Sequence, residues 1–314
     1  MDRKYGTSER DRVRRGESNV LATYRELAPP PALRAHVRAF FSFTPGESAP
    51  PRHDIVREVR FTREESFCSP LFADGHVSLS LELGRTCALG TGWTGGAPLR
   101  GSLVGAQRRA GISSPGGCAE ILGAYFEPGA ASALVGVPAV ELTDRLVDLD
   151  LLWGTSTGHM IADLAAMDEA ARLDRLEAVL LERLRRAKVA AGSDVAALAR
   201  WVRARPASAS VRRLAEAAGL SRQHLTRRFR EAIGVGPKLY CRLARLQAGL
   251  AYAGTGRELR WAEIAAGLGY ADQSHMIAEY RELSSLTPGM LAARPWFHPF
   301  ILEARSRQSL PAGI

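Results

Sequence analysis

The chain has 314 residues, enough for two domains with cores of their own. Its 46% apolar and 24% charged residues are ordinary for a globular protein, and no run of eighteen apolar residues marks a membrane span. The net charge is +9, and only Lys4, Lys188 and Lys238 among the 42 basic residues are lysines. The N-terminus lacks the apolar stretch of a secretory signal. Cys68, Cys87, Cys118 and Cys241 are scattered singly, which argues against a disulfide framework or a zinc knuckle.

Residues 1–18 hold almost no large apolar side chains and cannot bury a core, so a disordered basic tail is expected. From residue 19 the composition changes. Residues 32–37 read as a short helix, 39–43 as an aromatic strand, and 55–61 and 71–72 as further strand material. Val77, Leu79, Leu81 and Leu83 alternate with Ser78, Ser80 and Glu82, the period of a half-buried strand. Asp74-Gly75 before them is a turn signal. Residues 99–107 and 120–126 continue the β pattern. Short strands punctuated by Gly and Pro point to a sandwich or barrel.

Trp93 stands in a Gly-rich run that reads as a hairpin tip and lacks phosphate-loop spacing. His36, His53 and His76 are far apart, without the close spacing of metal ligands, and no Ser/His/Asp set has a nucleophile's context. Neither a metal site nor an enzyme is expected. Helix follows over 130–134, 139–146 and 161–184. In the last, Leu173, Leu176, Leu180 and Leu184 repeat at three and four. Such a stripe suits packing on its own β domain. Residues 190–193, Ala-Ala-Gly-Ser, read as a linker.

Residues 211–234, VRRLAEAAGLSRQHLTRRFREAIG, read as helix, turn and helix. Ser210 and Ser221 are N-caps, and Gly219 permits the left-handed backbone that stops the first helix. Leu225 and Phe229 lie four apart and share one face. Arg222, Gln223, Thr226, Arg227 and Arg230 line the other. Two short helices crossed over such a turn form the helix-turn-helix, whose second helix enters a major groove, where Arg reads guanine and Gln reads adenine.

The pattern recurs. Ile264, Ala265 and Gly269 echo Leu214, Ala215 and Gly219, and Tyr280, Arg281 and Pro288 echo Phe229, Arg230 and Pro237. Residues 237–253 between the copies read as one helix opened by Pro, about 25 Å long. That sets two recognition helices about one duplex turn apart, roughly 34 Å. Residues 193–300 hold 16 Arg and Lys against 8 Asp and Glu, so the positive excess sits on this segment.

The runs LAEAAGLSRQHLTRRFREAIGVGPKLY and IAAGLGYADQSHMIAEYRELSSLTP resemble the two halves of the DNA-binding domain of AraC/XylS-type bacterial transcription regulators, over residues 193–294. The resemblance implies base contacts from Gln223, Thr226 and Arg227 in the first recognition helix, and from Gln273, Ser274 and Ile277 in the second. Ala278 stands where the family usually has Arg, Met276 where it has Phe, and Ser285 where it has Gly. Arg222, Arg228, Arg230, Lys238, Arg242 and Arg281 are the expected phosphate contacts. For the N-terminal half the resemblance implies a cupin-like β-barrel that binds an effector or dimerises, and it makes a dimer contact the alternative for the leucine stripe.

The expected architecture is α+β. A tail over 1–18 precedes a β-rich effector-binding and dimerisation domain with trailing helices over 19–190. An all-α tandem helix-turn-helix domain follows over 193–294, then a tail over 295–314. The expected function is sequence-specific transcription regulation, as activator or repressor, in a bacterial cytoplasm and associated with the nucleoid. The expected partners are double-stranded operator DNA, a second copy of the chain, RNA polymerase and a small-molecule effector. No cofactor is expected. The alternative is a DNA-binding adaptor or sensor with repair-like or catalytic chemistry in its N-terminal half. That chemistry calls for a reactive cysteine beside a zinc site or a basic partner.

Overall fold

A computed structural model describes residues 20–46, 52–62, 69–71, 75–84, 99–109, 111–113, 120–187, 193–253 and 260–292. The expected tails over 1–18 and 295–314, the hairpin tip at Trp93 and nearly all of the 190–193 linker lie outside those residues. No helix among the described residues is long and apolar enough to cross a membrane.

The N-terminal half is built on β1 (Val20–Leu27), β2 (Val37–Pro45), β3 (Ile55–Thr62), β4 (Ser69–Leu71), β5 (Ser78–Glu82), β6 (Gly101–Val104), β7 (Gly111–Ser113), β8 (Ile121–Phe126) and β9 (Leu146–Asp148). Seven of them form one antiparallel sheet in the order β3-β1-β2-β8-β5-β6-β9, and β4 pairs with β7 in a separate ribbon. Among the described residues β3 and β9 are the sheet's two ends.

Side chains alternate across a strand, so the register sorts them into two faces. Leu27, Phe40, Ala124 and Leu79 are paired in line across four strands, all buried. This face packs against the helices that trail the sheet: α1 (Ala131–Val135), α2 (Ala139–Leu142), α3 (Asp150–Trp153), α4 (Ser156–Ala165) and α5 (Glu169–Arg186). The other face carries Glu26, Phe41, Gly123 and Ser80 in line, with Tyr24, Phe43 and Glu82 one pair along. It is buried as well, yet polar and aromatic.

The leucine stripe is settled by this packing. Leu173, Leu176 and Leu180 are fully buried within the N-terminal core, and Leu184 packs against it. Each buried leucine contributes about 1.5–3 kcal/mol. The stripe therefore serves its own domain and is not a face offered to a second copy.

Strand β1 lies where the sequence shows only a change of composition. Arg25 and Glu26 hide it, because both charges are buried and both find partners in the folded chain. Arg25 Nε donates to Glu58 at 2.8 Å and its Nη1 donates to Glu169 of α5 at 3.0 Å, while Tyr24 Oη donates to Glu26 at 2.8 Å. Residues 32–37 form hydrogen-bonded turns instead of a helix, with Leu33 N donating to Pro30 O and Val37 N to Leu33 O. Beyond α2 the backbone at Asp144 turns to φ 56° and the chain becomes β9 instead of prolonging the helix. The 161–184 helix is two helices, α4 and α5. Asp168 restarts the chain by accepting the amide of Ala171 at 2.9 Å, the work of an N-cap.

The C-terminal half is all helix: α6 (Ser193–Ala204), a 3-10 turn (Pro206–Ser208), α7 (Val211–Ala218), α8 (Arg222–Ile233), α9 (Pro237–Ala253), α10 (Trp261–Gly267), α11 (Gln273–Ser284) and α12 (Pro288–Ala292). It has two apolar clusters, one for each helix pair, with α9 contributing to both. The N-terminal half is seated on the first. Thr143 Oγ1 donates to Gly234 O at 2.7 Å, Arg203 pairs with Glu127 at 3.4 Å, and Ala106 is part of the first helical cluster.

Candidate nucleic-acid interface

Both helix pairs are shaped by their caps. Ser210 accepts the amide of Arg213 at the start of α7, and Ser221 accepts that of His224 at the start of α8 at 3.2 Å. Gly219 ends α7 at φ 62°, a conformation that costs glycine nothing. In the second pair Asp272 replaces Ser221 and accepts the amide of His275 at 2.7 Å. Gly269 has φ 76°, and a Cβ there would also overlap the carbonyl of Ala207. Ser285 takes the left-handed position at φ 60° that Gly234 holds after α8.

Burial then decides which faces are left for a ligand. Leu225, Phe229 and Ile233 of α8 are buried, and Met276, Tyr280 and Ser284 take the same places in α11, with Leu283 buried beside them. Tyr280 Oη donates to Leu246 O of α9 at 3.2 Å, which gives the larger side chain a polar anchor. On α8, Arg222, Gln223, Arg227 and Arg230 are exposed and Thr226 is half-buried. On α11, Gln273, Ser274, His275, Ala278 and Arg281 are exposed and Ile277 is half-buried. The expected base readers and four of the expected phosphate contacts, Arg222, Arg230, Lys238 and Arg281, thus lie on accessible surface.

Their partners differ in strength. Arg227 Nη1 lies 3.3 Å from Glu231, with 64% of its side chain exposed, so the pair is a weak helix-surface contact of about 0.3–0.5 kcal/mol. It does not tie the guanidinium down. Thr226 Oγ1 donates to Arg222 O at 2.7 Å. Arg228 sits 3.6 Å from Asp194 of α6.

Arg242 is held far more firmly. It donates to Glu279 at 2.9 Å and to both oxygens of Glu282, the closer at 2.6 Å. Burial opposes its charge, but the two carboxylates outweigh that and raise its pKa. Glu279 is buried and also accepts from Arg245. In this arrangement Arg242 braces α9 against α11 instead of standing free for a phosphate. The sequence placed it on a basic helix but did not show that two glutamates of the second pair reach it.

A second feature escaped the sequence. Val140 of α2 is exposed and lines a cleft of about 520 Å³ with Arg222, Gln223, Thr226, Arg227, Arg230 and Glu231. The N-terminal half therefore borders the face of α8 expected to read bases. A wider, largely basic cleft of about 1490 Å³ between the halves is lined by Arg108, Arg109, Arg230 and Lys238, with Asp144 and Glu282. Cys241 is buried, and burial pushes its thiol up to about 11, the opposite of a reactive cysteine.

Two capped helix pairs in tandem, each with an apolar anchor inside and a polar second helix outside, define a helix-turn-helix DNA-binding domain. Residues 214–294 match the family model described as a helix-turn-helix domain, and this part of the chain is an AraC-type helix-turn-helix domain, the DNA-binding part of a transcription regulator. Residues 25–148 match a family model described as a domain of unknown function (DUF6597). No curated protein sequence matches the chain.

Among solved structures the chain is similar to ToxT from Vibrio cholerae. One crystal structure of it is 9% identical with a TM-score of 0.38, covering 88% of this chain and 96% of that one. A 1.65 Å structure is 12% identical with a TM-score of 0.39, covering 72% and 89%. A form described as bound to an unsaturated fatty acid is 11% identical with a TM-score of 0.38, covering 88% and 95%.

Proposed function

We propose that this chain is a sequence-specific transcription regulator whose N-terminal half gates the reading of DNA by its C-terminal half. The observation that carries the reading is the twice-repeated helix pair. In each copy the apolar residues of the second helix are buried and a polar face is left out, and the first copy offers Gln223, Thr226 and Arg227 together. Arg222, Arg230, Lys238 and Arg281 position the domain on phosphates, and Arg242 holds the two pairs in fixed relation.

Gating is supported by where the halves touch. The hydroxyl of Thr143 is bonded to the carbonyl that closes α8, and Val140 stands beside its reading face. A shift of α2 changes what α8 can reach. The buried polar face of the sheet, with Tyr24, Glu26, Ser80, Glu82 and Ser102, is where a small effector would act on that shift. The domain limits that accompany this reading are 19–190 and 193–294.

The test is a gel shift of the full chain, at fixed salt, on sequences selected by the protein from its own genome and on scrambled versions of them. The expected outcome is binding at least about a hundredfold tighter to the selected sequences. Equal binding to both would make the protein a sequence-indifferent DNA binder.

A further inference from the structure

The turn before β3 and helix α5 bring together three ligand-type side chains that the sequence keeps far apart, His53 on one side and Asp174 with Glu177 on the other. His53 Nε2 lies 3.2 Å from Asp174 Oδ1 and 3.8 Å from Glu177 Oε1. One ligand atom from each residue falls within 4.8 Å of the other two. Asp174 and Glu177 are three apart on α5, so they project from one face of the helix toward the imidazole. We propose that His53, Asp174 and Glu177 form a binding site for a divalent transition-metal cation, with zinc the best match, that staples the lead-in to β3 onto α5.

Three observations carry it. The first is spacing. Four ligands at about 2.0–2.1 Å around a tetrahedral zinc stand roughly 3.3 Å from one another. The 3.2 Å separation of His53 from Asp174 is close to that edge, and a small inward adjustment of Glu177, now 3.8 Å from His53, would complete the set.

The second is charge. Two carboxylates facing one imidazole leave the cluster anionic in either protonation state of the ring. Among the described residues no Arg or Lys forms an ion pair with Asp174 or Glu177. Their only ion-pair partner there is His53. This contrasts with Glu169 at the start of the same helix, which is neutralised by Arg25.

The third is access. The side chains of His53 and Glu177 are only 17% and 16% exposed, whereas that of Asp174 is 73% exposed. The ring and one carboxylate are mostly covered, and the other carboxylate opens to solvent. A cation enters past Asp174 and keeps water in its remaining position. One nitrogen and two carboxylate oxygens are a ligand set that zinc accepts and calcium does not prefer, since calcium takes oxygen ligands alone. The site is independent of the DNA-binding reading.

The full chain, stripped with a chelator, is titrated with Co²⁺ and followed by the visible absorption of four-coordinate cobalt, then back-titrated with Zn²⁺. The expected result is one equivalent of Co²⁺ with tetrahedral bands that Zn²⁺ abolishes. His53→Ala and Asp174→Asn should each weaken binding by about tenfold or more. Asp174 is largely exposed, so its variant keeps the fold, checked by circular dichroism. Zn²⁺ should also raise the unfolding temperature of the wild type and leave that of Asp174→Asn unchanged. If the wild type shows no tetrahedral bands, or if both variants bind as the wild type does, the cluster is an ion pair only and the proposal fails.

Discussion

Replacing Arg242 by methionine separates a brace from a phosphate contact. The substitution keeps most of the stem and removes the guanidinium. Of the two carboxylates it serves, Glu282 is 62% exposed, and its share is at most about 1 kcal/mol. Glu279 is the costly one, with its side chain 6% exposed. Stripping a buried carboxylate of its partner costs about 3–5 kcal/mol. Arg245 remains at 3.3 Å and offsets roughly half of that. The expected loss for Arg242→Met is therefore about 2 kcal/mol, read as a lowered urea midpoint for the full chain with an unchanged slope. The double variant Arg242→Met/Glu279→Met should recover only part of it, because the buried carboxylate is gone but Arg245, 17% exposed, then loses its own partner. The salt dependence of DNA binding should stay as in the wild type. The reasoning is refuted if Arg242→Met unfolds at the wild-type midpoint while its log–log salt slope falls by about one counterion, the signature of a lost phosphate contact.

Arg227→Ala should lower affinity for the selected sequence about tenfold or more and relax preference at one base pair, whereas Gln273→Ala should cost less, both read against a library of site variants. With about 5 phosphates neutralised, the wild-type salt slope should lie near about −4 to −5, and a slope near zero would contradict DNA binding. Burial raises Glu82 to about 7, against the opposing pull of Arg100. A carboxyl raised in the folded state costs nothing below its ordinary value of 4.5, and the fold loses stability as pH climbs from there to about 7. Glu82→Gln should therefore gain about 1–2 kcal/mol at about pH 8 and nothing at about pH 4, measured by thermal unfolding at both. Gly249→Ala puts a methyl against the Tyr280 hydroxyl and should cost about 1–3 kcal/mol despite alanine's better helix propensity, measured by denaturant unfolding.

What could be read from the sequence was what local chemistry determines. Ser210, Gly219 and Ser221 mark their helix ends by caps and turns that need no distant partner. Leu225 and Phe229 announce their face by spacing alone. Strand β1 was hidden because Arg25 and Glu26 read as surface charges until Glu58 and Glu169 are folded onto the one and Tyr24 is turned toward the other. The same distance effect hides the cluster of His53 with Asp174 and Glu177, and the pairing of Arg242 with Glu279. Asp168 did carry a local signal, an acidic N-cap inside an apolar period, and it is what splits α4 from α5. The placement of Val140 beside α8 had no sequence signal, since neither residue pattern encodes how two halves dock.

Gly234 brings two of these constraints to one residue. It ends α8 at φ 93°, and a Cβ there would stand 2.9 Å from Thr143 Oγ1 and 3.0 Å from the Ala106 side chain. The backbone turn that ends α8 and the seat of the other half are thus the same few atoms. In the proposed gating, motion of the N-terminal half would act on α8 at its C-terminal end, with Gln223 and Arg227 out along the shaft. A small displacement at that pivot would then become a larger swing at the tips, a lever built into the joint between the halves.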